Sequence, residues 1–70
     1  MLIRISDPSL VDDLCAHFRR SGFAAEPMGG SVIDVDRPDA PNPEQARREV
    51  ELHLRIWQAT AAGTAELFNH

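Results

Sequence analysis

The sequence is short of most residues that small proteins use to staple themselves together. One cysteine among 70 residues cannot close an internal disulfide, and no Cys/His group stands at metal-ligand spacing, so packing or self-association must support the fold. Basic residues are in deficit, 7 against 11 acidic, giving a formal net charge of −4 and a pI near 5.1. Such a chain repels a phosphate backbone, which argues against nucleic acid as a partner. No apolar run approaches the ~20 residues that span a bilayer. The opening Met1-Leu2-Ile3-Arg4 is also too short an apolar run for a signal peptide. No membrane partner is expected, and the expected location is the cytoplasm, with whose reducing conditions free Cys15 agrees. A single domain of this length buries only about 60% of its unfolded surface. Oligomerisation is therefore an expected source of stability.

Hydrophobic periodicity is present where composition is poor. In residues 1–6, Met1, Ile3 and Ile5 alternate with Leu2, Arg4 and Ser6, the period of a strand. Asp7-Pro8 then supplies an N-cap and a first-turn proline, with Asp12 and Asp13 near the positive end of the helix dipole. Leu10, Val11, Leu14, Cys15 and Phe18 form one helical face, and Arg19-Arg20 followed by Gly22 predicts the stop. The first helix is thus expected over Pro8 to Ser21.

Phe23 to Met28 reads as a strand that Pro27 confines to a sheet edge. Gly29-Gly30 marks a hairpin, and Ser31 to Asp36 alternates as its second arm. Three prolines in Arg37 to Pro43 make a stiff connector. Asn42 is the expected N-cap of a second helix, with Pro43 first and Gln45 completing a capping box. That helix is expected to run to about Ala62, with Gly63 as its stop and Glu44–Arg48 and Glu51–Arg55 as i, i+4 pairs on its wet face. Thr64 to Phe68 completes the pattern as a short fourth strand.

This order, βαββαβ with right-handed crossovers, predicts an α+β ferredoxin-like plait: two helices on one face of a four-stranded antiparallel sheet of order 4-1-3-2. The fold hosts unrelated functions, so function must come from side chains. RNA-reading domains of this topology stack bases on aromatics of the central strands, where this chain has Leu2, Arg4, Val32 and Asp34. Soft-metal carriers place Cys-x-x-Cys in the first loop, where this chain has Ser6-Asp7-Pro8-Ser9. Asp7 to Asp12 followed by Arg20-Ser21-Gly22-Phe23 loosely resembles the first loop, helix and following strand of amino-acid-sensing ACT-type domains. Those domains usually carry a glycine in that loop; none lies between Ser6 and Leu10, so no membership is assigned.

The chemistry-bearing residues are sparse. His17, His53 and His70 show no i, i+4 spacing, and the first two border apolar stripes, which reads as boundary packing. Cys15, mid-helix on the apolar side, reads as a small hydrophobe, and Asp34, Asp36 and Asp39 as solvated edge charge. No catalytic, cofactor or metal residue is assigned. Surplus apolar surface is the stronger signal. Ala46, Val50, Leu54, Trp57 and Ala61 form one stripe of the second helix, and Leu52, Ile56 and Ala59 another about 140° away. The second stripe either packs under the connector or first helix, or meets another chain. Leu2 and Val32, with Phe68 near, are expected on the open sheet face. Leu2, Val32, Leu52, Ile56 and Phe68 are thus candidate interface residues. The leading expectation is a non-catalytic, self-associating interaction or regulatory module. Alternatives are a sensor of ACT-like outline that binds an amino-acid-like small molecule, its identity unknown, at a subunit interface near Asp7 to Leu10, and a small oligomeric enzyme with His17 or His53 as base.

Overall fold

The computed structural model describes residues 1–61 and 63–68. In chain order it has β1 (Leu2–Ile5), a 3-10 turn (Pro8–Leu10), α1 (Val11–Arg20), β2 (Ala24–Gly29), β3 (Val32–Asp36), α2 (Pro43–Thr60) and β4 (Ala65–Leu67). The strands form one antiparallel sheet ordered β2-β3-β1-β4. This is the predicted plait, its order read from the opposite edge.

The period-two pattern of β1 and β3 decides which face is covered. Ile3 stands opposite Ile33 and Leu67, and Ile3, Ile5, Ile33 and Val35 are almost fully buried. Against them lie Val11, Leu14, Cys15 and Phe18 of α1, and Val50, Leu54 and Trp57 of α2, in one continuous core. Full burial of each large aliphatic side chain contributes roughly 1.5–3 kcal/mol, so these few residues dominate the stability of a short chain. β2 takes the edge as Pro27 requires, and the pairing slips between Pro27 and Gly29. The hairpin then turns through Gly29 and Gly30, both at positive φ (105° and 58°), conformations in which a Cβ would be strained.

The helix starts follow their caps, with one correction. Asp7 caps as expected, its Oδ1 accepting from the Ser9 N–H at 3.0 Å and the Ser9 hydroxyl at 2.8 Å. The first turn is nonetheless 3-10, and α1 proper begins at Val11 rather than Pro8. The Leu10 N–H bonds the Asp7 carbonyl, the i→i+3 closure of the tighter helix. Asn42 caps α2 through Oδ1 and the Gln45 N–H at 2.8 Å. Gln45 does not reach back to complete the box; its Nε2 donates to Glu49.

At the other end of α2, the expected stop at Gly63 is not used. The last helical residue is Thr60, and Ala61 is already extended, its N–H bonded to the Trp57 carbonyl; the predicted end at Ala62 lies outside the described residues. Gly63 serves close approach instead, since a Cβ there would come 2.6 Å from Leu10 Cδ1. On the wet face Glu51 pairs with Arg47 at 3.1 Å, not with Arg55.

Sequence reading gives the connector no side-chain role, yet Arg37 ties three elements together. Its Nη1 donates to the Ser21 carbonyl at 2.9 Å, its guanidinium lies 4.7 Å from the Phe23 ring centroid, and its Nε is 3.3 Å from Glu49. The two helices are also bridged: buried Trp57 donates from Nε1 to Asp13 Oδ2 at 2.8 Å. An N–H this buried is costly to leave unpaired. Asp13→Ala is therefore expected to destabilise the chain by about 1–2 kcal/mol and lower Tm by roughly 5–12 °C, followed by circular dichroism and by the emission of the sole tryptophan. Asp12→Ala, one residue away and exposed, is the control and is expected to stay within about 0.5 kcal/mol of the parent.

Candidate functional site

The five candidate interface residues separate onto different faces of the molecule. Leu2, Val32 and Phe68 belong to the sheet face that carries no helix, where Leu2 stands opposite Asp34, and Arg4 opposite both Val32 and Glu66. Phe68 continues past β4, its N–H bonded to the Leu2 carbonyl. The Arg4 guanidinium lies 4.7 Å from the Phe68 ring centroid, and Leu2, Val32 and Phe68 are all partly buried. Around them the face is charged and mostly acidic, with Glu26, Asp34, Asp36 and Glu66. Asp34 is engaged locally, accepting from the Met1 amino group at 3.1 Å.

Leu52 and Ile56 lie on α2 and are covered by neither the connector nor α1: they are 51% and 47% exposed. With Met28 they are the exposed large hydrophobics among the described residues. Their position follows from helical geometry, since residues four apart share a face and the stripe through Val50, Leu54 and Trp57 is spent on the sheet. Arg48, Glu51 and Arg55, also exposed, surround them on neighbouring helical positions.

Between the helices the fold assembles a group that no sequence spacing announces. His17 of α1 and His53 of α2 are 36 positions apart, yet His53 Nδ1 is 3.3 Å from His17 Nε2. One imidazole donates and the other accepts, and which does so is set by the tautomers. Phe18 and Phe23 wall the pair: His17 meets Phe18 edge-on at 5.7 Å between centroids, and His53 meets Phe23 at 5.1 Å. Each histidine does border an apolar stripe; what periodicity could not show is that the two stripes face each other across one seam. The available signal was that His17 and His53 each lie on the flank of a core stripe, which in an antiparallel sandwich can point only outward or toward the other helix.

The remaining chemistry-bearing residues are structural in their surroundings. Cys15 is buried, and that burial pushes its thiol above the ordinary value, away from nucleophilic use. The Asp7 to Leu10 loop spends its carboxylate on the Ser9 cap, whose hydrogen bonds hold Asp7 below the usual carboxylate range. A cleft of about 650 Å³ lies elsewhere, under the connector between Met1, Arg37, Pro41 and Arg47. His70 lies outside the described residues. Among those described, no three His, Cys, Asp or Glu side chains cluster as a metal site, and no helix is long and apolar enough to cross a membrane.

Burial holds His17 below its ordinary imidazole value of 6.5, and the nearby His53 and Arg20 add to this against the opposing charge of Asp13. As pH falls, the unfolded chain binds the His17 proton before the folded chain does, so stability drops. The urea midpoint is expected to be flat above about pH 7.5 and to fall from about pH 7 to 5.5. In His17→Gln that fall is expected to shrink; an unchanged slope would assign the titration to other groups.

No family model, curated protein or solved structure matches the chain, and function rests on these surfaces.

Proposed function

We propose that this chain is a non-catalytic interaction module that pairs with a second copy of itself through the outer face of α2. The observation that carries the reading is the half-exposure of Leu52 and Ile56 on successive turns, in a chain whose other large aliphatics are mostly buried. Apolar groups left in water at one place are a common mark of a surface another chain covers.

The flanking charges favour a second copy as the occupant. On a helix of 3.6 residues per turn, Glu49 and Arg55 lie on opposite flanks of Leu52, about 60° to either side and one turn before and after it. A two-fold axis along the helices, which then run parallel, sets the Arg48 and Arg55 flank of each copy against the Glu49 and Ile56 flank of the other. The same operation lays the aliphatic stem of Arg55 beside the other copy's Ile56. The two flanks of the patch are thus complementary in sign. The open sheet face is less suited, because two copies would bring its acidic residues together and because its apolar side chains are already partly covered.

An 18-residue helix is about 27 Å long, and one such contact lies at or below the low end of specific interfaces, about 1,200 Å² in total. The dimer is therefore expected to be weak and concentration-dependent. Sedimentation equilibrium across micromolar concentrations is expected to show a monomer–dimer exchange that Leu52→Glu abolishes. Because Leu52 is half exposed, that variant is expected to keep the monomer's urea stability within about 0.5 kcal/mol. Val32→Glu, on the opposite face, is expected to leave the exchange intact. A parent chain that stays monomeric throughout, or a dimer broken by Val32→Glu and indifferent to Leu52→Glu, would overturn the reading.

A further inference from the structure

We propose that the His17–His53 pair is a binding site for a divalent transition-metal ion of the zinc type, closing the seam between α1 and α2. Zinc–imidazole bonds are about 2.0–2.1 Å long, so two nitrogens at adjacent corners of a tetrahedron stand about 3.3–3.4 Å apart. The observed separation of Nδ1 and Nε2 is 3.3 Å. An ion can therefore replace the shared proton with little change in nitrogen–nitrogen spacing, sitting about 1.2 Å off the line that joins them.

The surroundings favour the form of imidazole that a metal needs. Metal binding uses the neutral ring with a free lone pair, and the partly buried, aromatic-walled seam disfavours the protonated ring. The two ligands sit on separate helices whose packing on the sheet fixes them, so little ordering entropy is lost on binding. The groups around the pair are mixed in sign: Asp13 and Arg20 of α1 act on His17, Arg37 of the connector lies over Phe23, which walls His53, and Glu49 precedes His53 by one turn of α2. Asp13 is committed to Trp57, and Glu49 to Arg37 and Gln45. No third side chain among the described residues completes a cluster, so water fills the other coordination positions. Two-nitrogen ligation gives modest affinity and leaves the ion open to a further ligand. Imidazole nitrogen favours Zn²⁺, Cu²⁺ and Ni²⁺ over Mg²⁺ or Ca²⁺.

The inference is independent of self-association and is tested on the full chain with zinc chloride alone. Calorimetric titration at pH 7.5 is expected to show one zinc per chain, and imidazole resonances of His17 and His53 in long-range ¹H–¹⁵N spectra are expected to shift together. His17→Gln and His53→Gln are each expected to weaken binding at least tenfold, with circular dichroism confirming that both stay folded. His70→Ala is expected to bind as the parent does, and magnesium chloride to give no heat. Absence of binding at submillimolar zinc, or affinity unchanged in either glutamine variant, would overturn the site. So would shifts confined to His70.

Discussion

The structure depends on one contact, the packing of two amphipathic helices on the sheet face formed by Ile3, Ile5, Ile33 and Val35. That face is apolar because β1 and β3 alternate with period two, and central because both have neighbours on each side. Phe18 of α1 and Val50 of α2 are fully enclosed by it. With so little core, every large buried group matters, and the polar atoms drawn inward are paired: among the described residues no buried side-chain nitrogen or oxygen lacks a partner.

The seam between the helices follows from that contact. Once both helices lie on one face, the flanks of their apolar stripes meet, and three polar links form there: Trp57 with Asp13, His53 with His17, and Arg37 with Glu49 and the Ser21 carbonyl. These are side chains with an apolar body and a polar tip, the type that suits a boundary between core and water. The outer side of α2 has no such lid, which leaves Leu52 and Ile56 to the solvent. The packing that creates the imidazole pair also sets the surface proposed for self-association.

Much of this architecture was legible along the chain because its signals are local. The alternation of β1 and β3, the Asp7 and Asn42 caps, Pro27 at an edge and the Gly29-Gly30 turn each depend on backbone preferences within a few residues. Errors fell where two local signals competed or a distant atom decided. The 3-10 turn at Pro8–Leu10 and the end of α2 at Thr60 are boundary effects, and Gly63 lacks the left-handed φ of a helix stop, lying instead close beside Leu10. Glu51 chose Arg47 over Arg55, against the usual preference for the acid preceding its basic partner, a preference worth only about a few tenths of a kcal/mol on a solvated surface.

Sequence alone determined the element order, the edge strand, the acidic balance and the presence of more apolar helix surface than one sheet covers, since each is a matter of composition or short-range periodicity. Only the tertiary structure decided that Leu52 and Ile56 are uncovered, that Leu2, Val32 and Phe68 lie on another face with Arg4 over Phe68, and that His17 and His53 touch. The physical reason is that a helix stripe specifies which residues turn inward, whereas the neighbour each flank residue meets depends on how two elements distant in sequence are set side by side on a common sheet.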